Sequence, residues 1–267
     1  MIIKDHKIQG VKYDEANHVK GVMTPVAIVD HYTAGYNAAS AAHVFKTTVV
    51  AAHVIIDRNG SITQMVPFNR ICNHAGPSKY KELSMLNNHA IGIEFVNIGF
   101  LKKQGGNYID AYKGVYPRDT SSLVAAKHSR VGSETYYWEP YTSEQLRVGE
   151  ELTAALLQTY PSIKYIVSHE EIDTRGWKTD PGPAFPLDKF KGMLNTTPNL
   201  KALVKAKATQ SLNVRKGPGT SFDKATNFPL FPGQVIEIVS ELDNSWVEIL
   251  INGCTLGFVN GAYLSKV

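Results

Sequence analysis

Apolar positions along this chain fall into short blocks separated by polar and Gly-rich stretches, which predicts strands alternating with a few helices. Residues 26–35, VAIVDHYTAG, form a β-rich apolar run that gives way to polar and Gly positions, a buried strand with His31 at its carboxyl end. In residues 50–67, VAAHVIIDRNGSITQMVP, two strand-like runs flank Asp57-Arg58-Asn59-Gly60, and the Asn-Gly pair predicts a hairpin turn. In residues 90–98, AIGIEFVNI, alternation puts Ile91, Ile93 and Phe95 on one face and Glu94 on the other. A lone carboxylate in a buried strand calls for a chemical reason. From 99 to 139 the periodicity is lost among Gly105-Gly106, several tyrosines and mixed charge, which reads as a long irregular insertion.

Helical periodicity returns in residues 142–161, TSEQLRVGEELTAALLQTYP. Thr142 and Gln145 have capping-box spacing, Leu146, Leu152, Ala155 and Leu156 make an apolar stripe, and Pro161 follows the end. Residues 163–168, IKYIVS, are the next strand. This alternation implies an α/β fold, a mixed central β-sheet flanked by helices. Residues 191–210 are rich in Lys, Thr and Asn, show no strong helical stripe and read as a linker into a first strand. Beyond them, VIEIV at 235–239, WVEILI at 246–251 and LGFV at 256–259 predict a second, small all-β barrel. The expected division is a first domain over 1–195, with its insertion at about 100–139, a linker over 196–203, and a second domain over 204–267.

A hydrophobic share of 43% in 267 residues excludes a disordered or fibrous chain. The formal charge of +4 is a mild bias that favours an anionic polymer by steering, and it does not by itself indicate nucleic acid. No apolar run approaches the roughly 18 to 20 residues of a membrane span, and the first residues, MIIKDHKIQGVKYDE, lack the apolar core of a signal peptide. The expectation is synthesis in the cytoplasm, no membrane insertion and no nucleic-acid partner. Cys72 and Cys254 fall in different expected domains, which argues for free thiols rather than a disulfide framework.

Residues 163–185, IKYIVSHEEIDTRGWKTDPGPAF, place His169, Lys178 and Asp180 just beyond a buried strand. Catalytic zinc takes three protein ligands of the His and carboxylate type and keeps a fourth position for water. His31 and His169 each end a strand-like run, and neighbouring strands lie about 5 Å apart, so the two histidines can share one ion with Asp180 completing the set. Singly, each has a plainer account: a loop histidine bonded to its own turn, or an aspartate that starts a turn before Pro181. Together they favour a metal.

The ordered motifs DHYTAG, AAHVIIDRNGSITQMVP, NHAG, IGIEFVN and SHEEI…GWKTDPGPAF, over roughly residues 24 to 190, resemble the zinc-dependent N-acetylmuramoyl-L-alanine amidases of the type 2 family, which also includes peptidoglycan recognition proteins. The resemblance implies one Zn2+ held by His31, His169 and Asp180. It also implies Glu94 as the catalytic glutamate and Lys178 as a catalytic lysine two positions before the third ligand. Some relatives carry a Tyr just before the histidine of the early hairpin, where this chain has Ala52, and this departure places the catalytic burden on Glu94. His53, Asn73 and His74 fall in motifs that border the substrate groove in relatives; for His53 the plainer account is a histidine satisfied within the core.

The run SLNVRKGPGTSF at 211–222 and the short strands after it resemble the bacterial SH3-like domains of wall hydrolases, over about residues 204 to 267. That resemblance implies a module binding wall peptide. The implied activity is cleavage of the amide between N-acetylmuramic acid and L-alanine in peptidoglycan or muropeptides. A phage or prophage endolysin, or a secreted wall-degrading effector, is the leading expectation, with action on the wall after release or export. The alternatives are a cytosolic amidase of wall recycling and a non-catalytic muropeptide-recognition protein.

Overall fold

In a computed structural model of the protein, residues 1–196, 204–226, 229–242, 244–251 and 254–267 are described. The chain divides into two compact units, Ile3–Thr196 and Thr197–Val267 together with Met1–Ile2. Beyond Thr196, the expected linker lies outside the described residues.

The larger unit opens with β1 (Ile3–Lys4), β2 (Lys7–Ile8) and β3 (Lys12–Tyr13), followed by β4 (Ala27–Tyr32) and α1 (Ala38–Thr47). Two hairpins come next, β5 (Val54–Ile56) with β6 (Ile62–Gln64) and β7 (Lys79–Tyr80) with β8 (Leu83–Ser84), and then β9 (Ala90–Phe95). Asp57–Gly60 turns the first hairpin, with Gly60 at φ 82°, a left-handed conformation that glycine adopts without strain. The central sheet has the order β14-β4-β9-β5-β6-β3, where β14 is Tyr165–Ser168. Its four leading strands are mutually parallel, and β5 and β6 are antiparallel, so the sheet is mixed.

Register decides what each face carries. Ile28, Ile91, Ile93 and Phe95 turn to one side, where Phe95 packs against Tyr141, Phe185 and Phe190. That side is closed by α2 (Ser143–Thr159) and α4 (Leu187–Thr196). Thr142 and Gln145 cap α2 reciprocally, as their spacing predicts. The opposite side carries His31 and Glu94, and there Ala41, Ala42 and Phe45 of α1 bury against Ala52 and Ile55.

Two expectations are corrected. Residues 100–138 are an ordered antiparallel sheet of order β11-β10-β13-β12, from β10 (Phe100–Gln104), β11 (Asn107–Asp110), β12 (Val124–His128) and β13 (Gly132–Trp138). Its strands carry Lys102, Lys103, Gln104, Glu134 and Thr135 toward solvent, which hides the alternation that marks a half-buried strand. Gly105-Gly106, read as irregular chain, is the turn between β10 and β11. Residues 191–196 continue α4 instead of starting a linker, because Phe190, fully buried, anchors the helix from a position outside the stretch taken as linker.

Glu139, 1% exposed, binds the insertion to the rest of the unit. Its Oε1 accepts from Arg118 Nη1 (2.7 Å) and Tyr116 Oη (3.0 Å) and forms an ion pair with Arg58 Nη1 (3.1 Å), and its Oε2 accepts from Ile98 N (2.7 Å). Removing the carboxylate leaves two partly buried guanidiniums without their counter-charge and the Ile98 N–H without its acceptor. Glu139→Ala is therefore expected to cost about 3–5 kcal/mol of stability. Urea denaturation checks this, and a loss below ~1 kcal/mol would show that the network holds nothing.

The smaller unit is a five-stranded antiparallel sheet of order β18-β17-β16-β15-β19. Its strands are β15 (Val204–Ala208), β16 (Val235–Glu241), β17 (Trp246–Ile251), β18 (Cys254–Asn260) and β19 (Leu264–Lys266), over a core that includes Val214, Ile236, Ile249 and Val259.

Candidate functional site

Parallel pairing brings Ser168 opposite Asp30, so the residues that follow, His169 and His31, leave adjacent strand ends together. His169 opens the short helix α3 (His169–Ile172), whose start is held by reciprocal bonds between Ser168 and Glu171. Asp180 comes from the loop beyond α3, where its carbonyl accepts from Glu170 N at 3.0 Å. The three side chains meet: His31 Nδ1 and His169 Nδ1 are 3.0 Å apart, and each lies 2.9 Å from Asp180 Oδ2. All three residues are buried.

The outer nitrogens fix the tautomers. His74 Nε2 faces the Ala90 carbonyl (3.0 Å), which can only accept, so Nε2 carries the proton and Nδ1 is an acceptor. His31 Nε2 lies 3.1 Å from that Nδ1 and donates to it, leaving His31 Nδ1 as a lone pair. His169 Nε2 likewise faces the Ala75 carbonyl at 3.3 Å. Two imidazole lone pairs and a carboxylate oxygen thus converge with no proton of their own to share. That donor set fits a divalent cation with nitrogen and oxygen preference, and zinc in particular.

The electrostatics agree. Burial, reinforced by the neighbouring His169, pushes the His31 imidazole down to about 4, toward the neutral form that ligates. Asp180 Oδ2 stands 2.9 Å from both lone-pair nitrogens with no proton between them, a buried anionic arrangement that a cation completes.

Glu94 lies opposite His31 across the β4–β9 pair. Its Oε2 is buried without a hydrogen-bond partner, and its carboxyl is pushed well above its usual range by burial and by Asp180, partly offset by Lys178. Lys178 lines the same groove, of about 1130 Å³, and its ammonium sits 4.6 Å from the Trp177 ring centroid. Phe100, Lys102, Tyr112, Arg130 and Tyr136 of the insertion form one wall of this groove.

His53, Asn73 and His74 separate. His53 is fully buried, with Nδ1 accepting from Gly92 N (3.0 Å) and Nε2 donating to the Arg70 carbonyl (2.9 Å), so the expectation that it borders the groove is corrected. Both of its nitrogens are spent, as are those of His74, which excludes a second cation site from the neighbouring His53, Cys72 and His74 cluster. His74 reaches the groove and orients His31, whereas Asn73 lines an adjoining lobe and donates to the Val49 carbonyl. Cys72 is a buried free thiol.

Sequence reasoning missed Gly92. A Cβ there would stand 2.6 Å from the His74 ring, so only glycine leaves space for the histidine that orients His31. The signal was present in IGIEF, a glycine inside an otherwise apolar strand.

Fold and site define an α/β protein whose parallel strand ends gather a buried His-His-Asp donor triangle in an open groove. The chain belongs to the N-acetylmuramoyl-L-alanine amidase family, whose model matches residues 21–183. The 1,6-anhydro-N-acetylmuramyl-L-alanine amidase AmpD of Escherichia coli (strain K12) is 30% identical over 147 residues, 55% of this chain and 59% of the relative. Its counterpart from Haemophilus influenzae is 30% identical over 143 residues, 53% of this chain and 56% of the relative. The matched stretch thus spans less than two thirds of these curated relatives. Among solved structures, a selenomethionine derivative of AmpD aligns with TM-score 0.48 and 23% identity, covering 72% of this chain and 99% of that one. Escherichia coli AmiD with anhydro-N-acetylmuramic acid-L-Ala-D-gamma-Glu-L-Lys aligns with TM-score 0.47 and 25% identity, covering 64% and 57%.

Proposed function

We propose that the chain is a zinc-dependent amidase that hydrolyses the bond between the lactyl carbonyl of N-acetylmuramic acid and the amino group of L-alanine. The observation that carries this reading is the three-donor convergence at 2.9–3.0 Å beside the unpartnered carboxylate of Glu94. His31, His169 and Asp180 would hold the ion. When bound, zinc supplies Lewis acidity and a water acidic enough to yield a nucleophile near neutral pH.

Glu94 takes the proton released as the water oxygen bonds to the carbonyl carbon. It returns that proton to the alanine nitrogen as the C–N bond breaks, so one carboxyl serves as base and then as acid. Its raised proton affinity suits both roles, because a carboxylate of ordinary acidity would be a weaker base and a poorer donor at neutral pH. Lys178 brings positive charge to the side of the groove where the carbonyl oxygen becomes negative, an effect worth on the order of 3 kcal/mol in comparable sites. His74 and Gly92 act through His31 by fixing its tautomer. All three ligand positions are filled and in mutual reach, which weighs for hydrolysis over non-catalytic recognition.

Both curated relatives are named as amidases of 1,6-anhydro-muramyl substrates, which supports soluble anhydromuropeptides as substrate and the recycling role over the released-lysin role placed first on the sequence. The lysin reading keeps one support, the second unit, which we propose is an SH3-like wall-peptide module. Phe222, Phe231 and Tyr263 are exposed there and available to a ligand. Among the described residues no helix is long and apolar enough to cross a membrane.

Incubation with purified anhydromuropeptide and, separately, with sacculi tests these readings by mass spectrometry. New L-alanine amino termini without new reducing sugar ends are expected, with the soluble substrate cleaved the faster. Reducing ends would indicate a glycosidase, and faster attack on sacculi would restore the lysin.

A further inference from the structure

We infer that Arg130 is a positioning residue for the Lys178–Asp180 segment, so that the four-stranded insertion is a working part of the site. The inference rests on the proposed function for its chemistry, and on the following contacts for its geometry.

The segment Gly176–Gly182 begins and ends on glycines of positive φ and carries both Lys178 and Asp180. Its conformation is set largely by groups outside it. Asp173, buried, accepts from Trp177 N and Lys178 N, both at 3.0 Å. Arg130, in the turn between β12 and β13, donates from Nη1 to the Lys178 carbonyl at 2.9 Å, and the same nitrogen lies 3.8 Å from Asp173 Oδ2. The backbone of Lys178 is therefore gripped on its N–H side by Asp173 and on its carbonyl side by Arg130, two residues before the third proposed ligand.

A second path reaches Asp180 itself. Glu170 N holds the Asp180 carbonyl at 3.0 Å, while the Glu170 carboxylate lies 3.0 Å from His128 Nε2 and 4.0 Å from Arg130 Nε. Beyond Asp180, a Cβ on Gly182 would meet the Trp138 ring at 2.7 Å. Residues of β12, β13 and the turn between them thus touch the ligand-bearing segment at Lys178, at Gly182 and, through Glu170, at Asp180. Asp173, Glu170, Tyr141, which donates to the Pro181 carbonyl, and Tyr32, bonded to Thr179, hold other points of this loop. The partly exposed Arg130 guanidinium supplies the anchor at the Lys178 carbonyl, so its loss is expected to loosen the loop there.

The test compares Arg130→Ala and Arg130→Lys with the parent and with Lys102→Ala, a groove residue of the same sheet. Hydrogen exchange in Thr174–Gly182 is expected to rise about tenfold in Arg130→Ala while exchange in Ala27–Tyr32 stays unchanged. The zinc dissociation constant, read by chelator competition, is expected to rise about 10- to 100-fold. The kcat on anhydromuropeptide falls in parallel and KM changes little. Arg130→Lys, which keeps a donor for the Lys178 carbonyl, should recover part of each effect and guards against a variant that fails to fold. Lys102→Ala should leave exchange and zinc affinity unmoved.

Parent-like exchange and zinc affinity in Arg130→Ala would overturn the inference, and so would a rise in KM alone, which would make Arg130 a substrate contact. A parent protein that binds no zinc would defeat the proposed function, and the exchange measurement would still decide the role of Arg130.

Discussion

Asp180→Ala is expected to weaken zinc binding by at least about 10³-fold and to reduce hydrolysis to background, because the cation loses its one anionic ligand and keeps two neutral imidazoles. The remaining His31 and His169 nitrogens, 3.0 Å apart, then have no carboxylate between them to balance a bound charge. Competition titration with a chelator, with circular dichroism to confirm the fold, decides the matter: zinc retained at parent affinity would remove Asp180 from the ligand set.

Glu94→Gln should lower kcat by about 10²- to 10⁴-fold while leaving zinc bound, since it deletes proton transfer and keeps the shape of the side chain. The same change is expected to stabilise the metal-free protein at neutral pH. The folded Glu94 carboxyl titrates well above its unfolded value, so between those two values the native state holds a proton that the unfolded chain gives up. Stability then falls as pH rises through that window, and a glutamine, which has nothing to titrate, escapes the fall. A site residue that costs stability and supplies rate is the expected trade. Melting temperatures at pH 5 and pH 8 test the sign, because an equal shift of the variant against the parent at both would show that Glu94 is not the titrating group.

Much of the site was legible because its chemistry sits at strand ends, where short-range pattern is strongest. The apolar runs before His31 and before His169 each predict a strand, and β4 and β14 lie side by side as parallel neighbours. Glu94 stood out as a charge in an apolar strand, and alternation put it on the face away from Ile93 and Phe95, where it is found. The insertion was not legible, because its strands face solvent and their amphipathic signature is diluted by lysines and asparagine. His53 left two readings open, a groove residue and a histidine satisfied in the core, and the structure bears out the second. A histidine beside a motif offers no clue to whether its ring nitrogens face the groove or, as here, a backbone amide and carbonyl.

Sequence by itself determined the local terms: the strands at β4, β5, β6, β9 and β14, the helix α2 with its reciprocal cap, the turn at Asp57–Gly60, and the residue types able to ligate a cation. Tertiary structure alone decided which nitrogen of each histidine faces inward, because that depends on carbonyls of Ala75 and Ala90 and on the ring of His74, far from His31 and His169 along the chain. It also decided that Arg130 reaches Lys178, 48 positions away. The division follows from range. Periodicity, turns and caps are interactions between near neighbours in sequence, whereas tautomers, proton affinities and loop anchoring are set by groups that only the completed fold brings into contact.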